Sequence, residues 1–135
     1  MAYIEWTDEF SVKVQEIDEQ HKRLVAMINK LHEALLAKRG TEIQKEIIEG
    51  MIAYAAVHFE TESRYMLMYH YPGYVKHNAE HEAFVTKALE LQTQFKTVGF
   101  VLTLSILNFL KEWLQNHILG SDKAYSQCFV SHGLS

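Results

Sequence analysis

Cysteine is nearly missing: Cys128 stands alone among 135 residues, which excludes an internal disulfide and fits a reducing, cytoplasmic setting. Proline appears once, at Pro72, so long stretches run without the residue that most strongly interrupts helices. Positive charge is not in excess. With 13 Lys plus Arg against 17 Asp plus Glu the net charge is -4, which argues against a nucleic-acid partner. The longest apolar run, "FVLTLSILNFL" at 100–110, is too short to cross a bilayer and is broken by Thr103, Ser105 and Asn108, so no membrane partner is expected. The opening "MAYIEWTDEF" has neither a basic start nor an apolar core and does not read as a secretory signal. The length suits a single domain, 1–135. Against these shortages one residue is abundant: there are eight histidines.

Three turn signals divide the chain: "KRGT" at 38–41, with a glycine stop and a threonine start, "YPGY" at 71–74, and "KTVG" at 96–99. They leave an arm at 1–17, four segments at about 18–38, 41–69, 74–96 and 98–119, and a tail at 120–135. Each segment carries apolar residues at the 3.6-residue period. Leu24, Val25, Ile28, Leu31 and Leu35 mark the first, and Ile47, Ile48, Met51, Ile52 and Ala55 the second. Phe84, Val85, Ala88 and Leu91 mark the third, and Ile106, Leu110, Trp113 and Leu114 the fourth. Asp18 is placed to cap the first helix, and Thr41 with Gln44 to form a capping box on the second. Helices of this length joined by short turns lie antiparallel. The expected fold is all-α, an up-down-up-down antiparallel four-helix bundle with an N-terminal arm and a short C-terminal extension that has room for a fifth helix.

The histidines continue the apolar stripes. His21 precedes Leu24 and Val25 by three and four positions; His58 follows Ala55 by three and is four before Glu62. His77 and His81 lead to Phe84 and Val85, and His117 follows Trp113 and Leu114. In "NHILGSDKAY", His117 and Asp122 are five apart, the wrong number for one α-helical face at about 100° per residue. A left-handed Gly120 that turned the chain would return Asp122 to the imidazole.

Any one of these groups is ordinarily a hydrogen-bonded core residue. Together, unpaired, they would cost about 1 to 3 kcal/mol each, more than a domain's stability allows. Neutral imidazoles and carboxylates converging from four helices suit divalent cations. Seven donors with two carboxylates able to bridge make two ions the natural count. The lack of cysteine disfavours structural zinc or an iron–sulfur cluster, while iron, manganese, cobalt and zinc all remain open on donor type. Ferritin-like bundles need two Glu-x-x-His motifs, and the sequence has neither.

In order, "DEQHKRLVAMIN", "HFETE", "HNAEH" and "HILGSD" resemble the motifs of the hemerythrins, especially the bacterial stand-alone form, from Trp6 to about Tyr125. The resemblance implies two iron ions, one held by His77, His81 and His117, the other by His21 and His58 with one position open. Glu62, Asp122 and an oxo or hydroxo group would bridge them. It further implies reversible dioxygen binding, for carriage, storage or sensing, in a non-enzymatic protein. A di-iron enzyme acting on peroxide or nitric oxide, and an oxygen-sensing module with a redox or signalling partner, are the alternatives. The chain departs from the common bacterial pattern at Ser63, where a second glutamate often follows the bridging one.

By helical offset Leu24, Trp113 and Leu114 lie near the ligands, with Phe59 and Ile118 adjacent in sequence. An all-apolar wall of this kind favours reversible binding over turnover, since it offers no general acid. Tyr125, three after Asp122, is within reach of a bridging carboxylate.

Overall fold

The first helix begins before Asp18. In the computed structural model, which describes residues 3–135, α1 spans Gln15–Leu36 and its N-cap is Val14, whose side chain cannot cap. Asp18 lies inside the first turn and accepts instead from Ser11 Oγ at 2.6 Å and the Val12 N–H at 2.9 Å, fastening the arm to the bundle. Of the expected arm at 1–17, residues 1–2 lie outside the described residues.

The stop after α1 is Lys38, not Gly40. Lys38 has φ 62°, with its N–H on Leu35 O and the Arg39 N–H on Ala34 O, the paired bonds of a Schellman ending. Gly40 opens α2, Gly40–Met68, at a point where a Cβ would come within 2.7 Å of Thr103 Oγ1, so glycine there serves close helix approach. The expected capping box does not form. Gln44 is buried and turns across the bundle to Val101 O and Thr103 Oγ1, while its own Oε1 accepts the Val101 N–H at 2.9 Å.

Helix α2 ends like α1, on a left-handed non-glycine residue, His70 at φ 53°. The next helix, α3, spans Tyr74–Val98 and closes on Gly99 at φ 94°. Because Gly99 ends α3 and Gln44 holds both backbone groups of Val101, α4 starts at Thr103, later than the expected 98, and spans Thr103–Trp113. It runs without interruption into a π-helical segment, Leu114–Asp122, and then α5, Lys123–Ser131. The expected end near 119 and turn at Gly120 do not occur. Val85 also departs from expectation: Phe84, Ala88 and Leu91 fill the inward stripe of α3, and Val85, one residue further round, is 37% exposed.

Helix α1 packs on α2 and α4, and α2 packs on α3, giving the antiparallel up-down-up-down bundle; no strand occurs among the described residues. None of the described helices is long and apolar enough to cross a membrane. Two apolar clusters form the core. The larger includes Leu24, Ile28, Met51, Phe84 and Leu110; the smaller joins Val12, Val14, Ile17, Met66, Tyr125 and Phe129. In α1, α2, α3 and the π-helical segment the buried histidines and acids fall near the boundary between the two clusters, so the bundle carries a polar layer between two apolar ones.

Candidate metal centre

All seven expected donors meet in that layer. His21 comes from α1, His58 and Glu62 from α2, His77 and His81 from α3, and His117 and Asp122 from the π segment, each no more than 3% exposed. They form two overlapping groups, Glu62, His77, His81, His117 and Asp122 in one, and His21, His58, Glu62 and Asp122 in the other. Within each group the donor atoms lie within 4.8 Å of one another. The carboxylates Glu62 and Asp122 belong to both groups, which divides the imidazoles three and two.

The donors point at shared space more than at each other. His77 Nε2 lies 2.8 Å and His117 Nε2 2.9 Å from Asp122 Oδ1, and His81 Nε2 lies 3.0 Å from Glu62 Oε1. None of these atoms has a partner in hydrogen-bond alignment, although all are fully buried. His21 Nε2 and His58 Nε2 face one another at 3.0 Å, where one proton at most can sit. Lone pairs aimed at common points, from imidazoles and carboxylates, are the donor set two divalent ions require. The residues therefore fit a dinuclear metal centre.

The spacing of His117 and Asp122 has a different cause from a glycine turn. Gly120 is not left-handed; the positive-φ glycines are Gly99 and Gly133. Instead the backbone from Leu114 to Asp122 widens into a π-helix, whose i→i+5 repeat stacks residues five apart on one face. On an α-helix Asp122 would lie about 140° round the cylinder from His117, at about 100° per residue. In the π segment both reach the centre, and helical backbone continues on both sides.

Partners around the ligands fix their tautomers. His58 Nδ1 donates to Gln20 Oε1 at 2.6 Å, and Gln20 in turn donates to Thr61 Oγ1, leaving the Nε2 lone pair of His58 directed inward. His117 Nδ1 donates to Glu80 Oε1 at 3.0 Å, and Ser121 Oγ donates to the same carboxylate. Aromatic rings lie flat on three of the imidazoles: Phe59 on His81 at 3.9 Å, Trp113 on His117 at 3.9 Å, and Tyr54 on His58 at 4.9 Å. Tyr125 donates its hydroxyl to Glu62 Oε2, below a carboxylate whose other oxygen faces the imidazoles.

Electrostatics follow from two buried carboxylates among imidazoles. Burial opposes ionisation of Glu62, yet His58, His77 and His81 hold it well below the usual carboxylate range. Asp122 is pushed up by burial and by Glu62, but His117 and His21 bring it below its ordinary value. Burial works against a charged His77, and the two carboxylates overcome it, pushing its pKa up to about 10. His117 is raised in the same way, chiefly by Asp122, whereas burial dominates at His58 and His81 and lowers both. Burial also drives the phenols of Tyr54 and Tyr125 well above their ordinary value, so both remain O–H donors.

The expected wall residues Leu24, Phe59, Trp113, Leu114 and Ile118 are all buried, at 9% exposure or less. Sequence reasoning missed Gln20, Glu80 and Tyr54. Gln20 and Glu80 each immediately precede a ligand histidine, but their bonds run to histidines on other helices, which no spacing within one helix encodes. Tyr54 was legible in part, since it lies one turn before His58 on the stripe.

Fold and centre together define a four-helix-bundle protein built to hold two metal ions between its helices. The family model for the hemerythrin HHE cation binding domain matches residues 12–128. The bacteriohemerythrin of Methylococcus capsulatus is 34% identical over 129 residues, covering 95% of this chain and 98% of that protein. The bacteriohemerythrin of Pseudomonas aeruginosa PAO1 is 35% identical over 135 residues, covering 100% of this chain and 86% of that protein. A solved wild-type hemerythrin superposes with a TM-score of 0.83 at 34% identity, covering 94% of this chain and 98% of its own. The chain belongs to the hemerythrin family.

Proposed function

We propose that this protein binds dioxygen reversibly at a di-iron centre, with His77, His81 and His117 on one iron, His21 and His58 on the other, and Glu62 and Asp122 shared. The observation that carries this reading is the three-and-two division of imidazoles about two common carboxylates. It leaves the His21 and His58 side one donor short, and the expected wall residues Leu24, Leu114 and Ile118 are all buried. When bound, the iron pair supplies two electrons to dioxygen and recovers them on release.

The chain's own contribution is to hold the ligands and keep water out. Gln20 and Glu80 hold the imidazoles of His58 and His117 as inward acceptors. The stacked rings of Phe59, Trp113 and Tyr54 stop the imidazoles from tilting. Tyr125 anchors Glu62 from the opposite side. The apolar side chains exclude water, which suppresses proton-driven loss of the bound ligand and favours release of dioxygen over turnover. Carriage, storage or sensing is the use this supports, and the lone Cys128 fits a reducing, cytoplasmic setting.

The test is spectroscopic. The anaerobic iron-loaded protein is expected to develop a ligand-to-metal charge-transfer band on exposure to air and to lose it when oxygen is removed. A band that bleaches irreversibly, or steady turnover of peroxide or nitric oxide with a reductant, would overturn the reading in favour of an enzyme.

A further inference from the structure

One end of the bundle presents apolar side chains to solvent. In an up-down-up-down bundle the last turn of α1, the first of α2, the last of α3 and the first of α4 meet at the same end. There Leu36, Val98, Phe100 and Leu102 are each 53% to 71% exposed, and Leu104 is 48% exposed. The backbone holds the central pair outward. From Phe100 to Thr103 the side chains alternate, Val101 and Thr103 buried, Phe100 and Leu102 out, as extended chain requires. Gln44 grips both the N–H and the C=O of Val101, and Gly40 makes room for Thr103, so the inward pair is anchored and the outward pair is fixed in consequence.

Charge is sorted at this end. Residues 34–45 and 93–104 hold four cations, Lys38, Arg39, Lys45 and Lys96, against one acid, Glu42, in a chain whose net charge is -4. Arg39 is bonded to Glu42, whereas Lys38, Lys45 and Lys96 are exposed and make no ion pair among the described residues. The next acids, Glu33, Glu46 and Glu90, lie further down the helix shafts, and Glu46 is paired with Lys30. An apolar apex with lysines around it suits an anionic lipid surface: the apolar side chains enter the acyl boundary while the lysine stems lie along it and place their ammonium groups at the phosphates. A second copy of the chain would bring the same three lysines face to face across a two-fold axis, which like-charge repulsion opposes. None of the described helices can span a bilayer, so the contact is made from one side. We propose that this end docks the protein on anionic membrane surfaces, with Phe100 and Leu102 inserted and Lys38, Lys45 and Lys96 on the headgroups. The expectation of no membrane partner, which rested on the lack of a spanning segment, is to that extent replaced. At 1.5 Å per residue the ligand histidines lie roughly 20 to 27 Å along the helix axes from this end, so docking leaves the metal centre untouched whatever it binds.

Co-sedimentation of the iron-loaded full-length protein with lipid vesicles tests this. Binding is expected to vesicles of equal parts phosphatidylglycerol and phosphatidylcholine, to fall as salt is raised, and to be about 10- to 100-fold weaker on phosphatidylcholine alone. Phe100→Ser combined with Leu102→Ser is expected to weaken binding to the mixed vesicles about 10-fold or more, through the loss of inserted apolar surface. Lys45→Gln combined with Lys96→Gln is expected to weaken it about 25-fold, at about fivefold per lysine. Both double variants alter exposed positions remote from the centre, so each is expected to keep the iron content and helicity of the unaltered protein. Equal binding to the two vesicle types, or an affinity of the serine variant within about twofold of the unaltered protein, would overturn the proposal. So would a dimer of the unaltered protein in sedimentation velocity that the serine variant abolishes, because this end would then be a contact between copies of the chain.

Discussion

Replacing Gly120 with alanine separates two ways of bringing Asp122 to His117. Were the chain to turn at a left-handed glycine, alanine would be forced into a conformation costing about 1 to 2 kcal/mol, and Asp122 would be displaced with it. The structure gives the opposite sign. Gly120 is exposed, lies inside a continuous helical run, is not left-handed, and a Cβ added to it meets nothing within 4 Å. With neither clash nor strain, what remains is the intrinsic preference of a helix interior for alanine over glycine, about 0.8 to 1 kcal/mol. Hydrogen bonds in a π segment are less regular than in an α-helix, so about 0.5 to 1 kcal/mol is the expected gain. For a domain of 135 residues this raises Tm by roughly 2 to 4 °C. The assay is thermal unfolding at matched iron content, with iron stoichiometry measured alongside. A fall of several degrees, or loss of iron from Gly120→Ala, would refute the π-helical account of this segment.

Three further outcomes follow from the same geometry. Glu80→Gln weakens the acceptor on His117 Nδ1 and is expected to lower iron affinity about 10- to 100-fold, read by competition with a chelator. His70→Gly relieves a left-handed non-glycine residue at the end of α2 and is expected to stabilise the protein by about 1 kcal/mol in urea, whereas the same change at exposed helical positions destabilises. The pH dependence of the metal-free protein has a defined sign at the carboxylates. Glu62 and Asp122 are held below their ordinary values, so their stabilisation is present above the unfolded value of about 4 and is lost as pH falls toward the folded values. Asp122→Asn is expected to flatten that acid limb in denaturation curves collected from pH 6 downward, and an unchanged limb would contradict the proposed charge pairing.

Much of this protein was determined by sequence alone. His21, His58, Glu62, His77 and His81 sit three or four residues from apolar core positions, and on an α-helix that spacing by itself turns them inward. The breaks near 38–41, 71–74 and 96–99 likewise set the number of helices, because the chain direction must reverse there. Tertiary structure decided the rest. A five-residue offset between His117 and Asp122 is compatible with a glycine turn or a π-helix, and local propensity does not choose between them. The π-helix prevails because it buries Asp122 at the centre and at the same time delivers Tyr125 and Phe129 to the second apolar cluster. Gln20 and Glu80 were silent, and Gln44 read as a cap, for a related reason: their partners lie across helix interfaces. The rotation of one helix against another is set by packing, which periodicity within a single helix does not record.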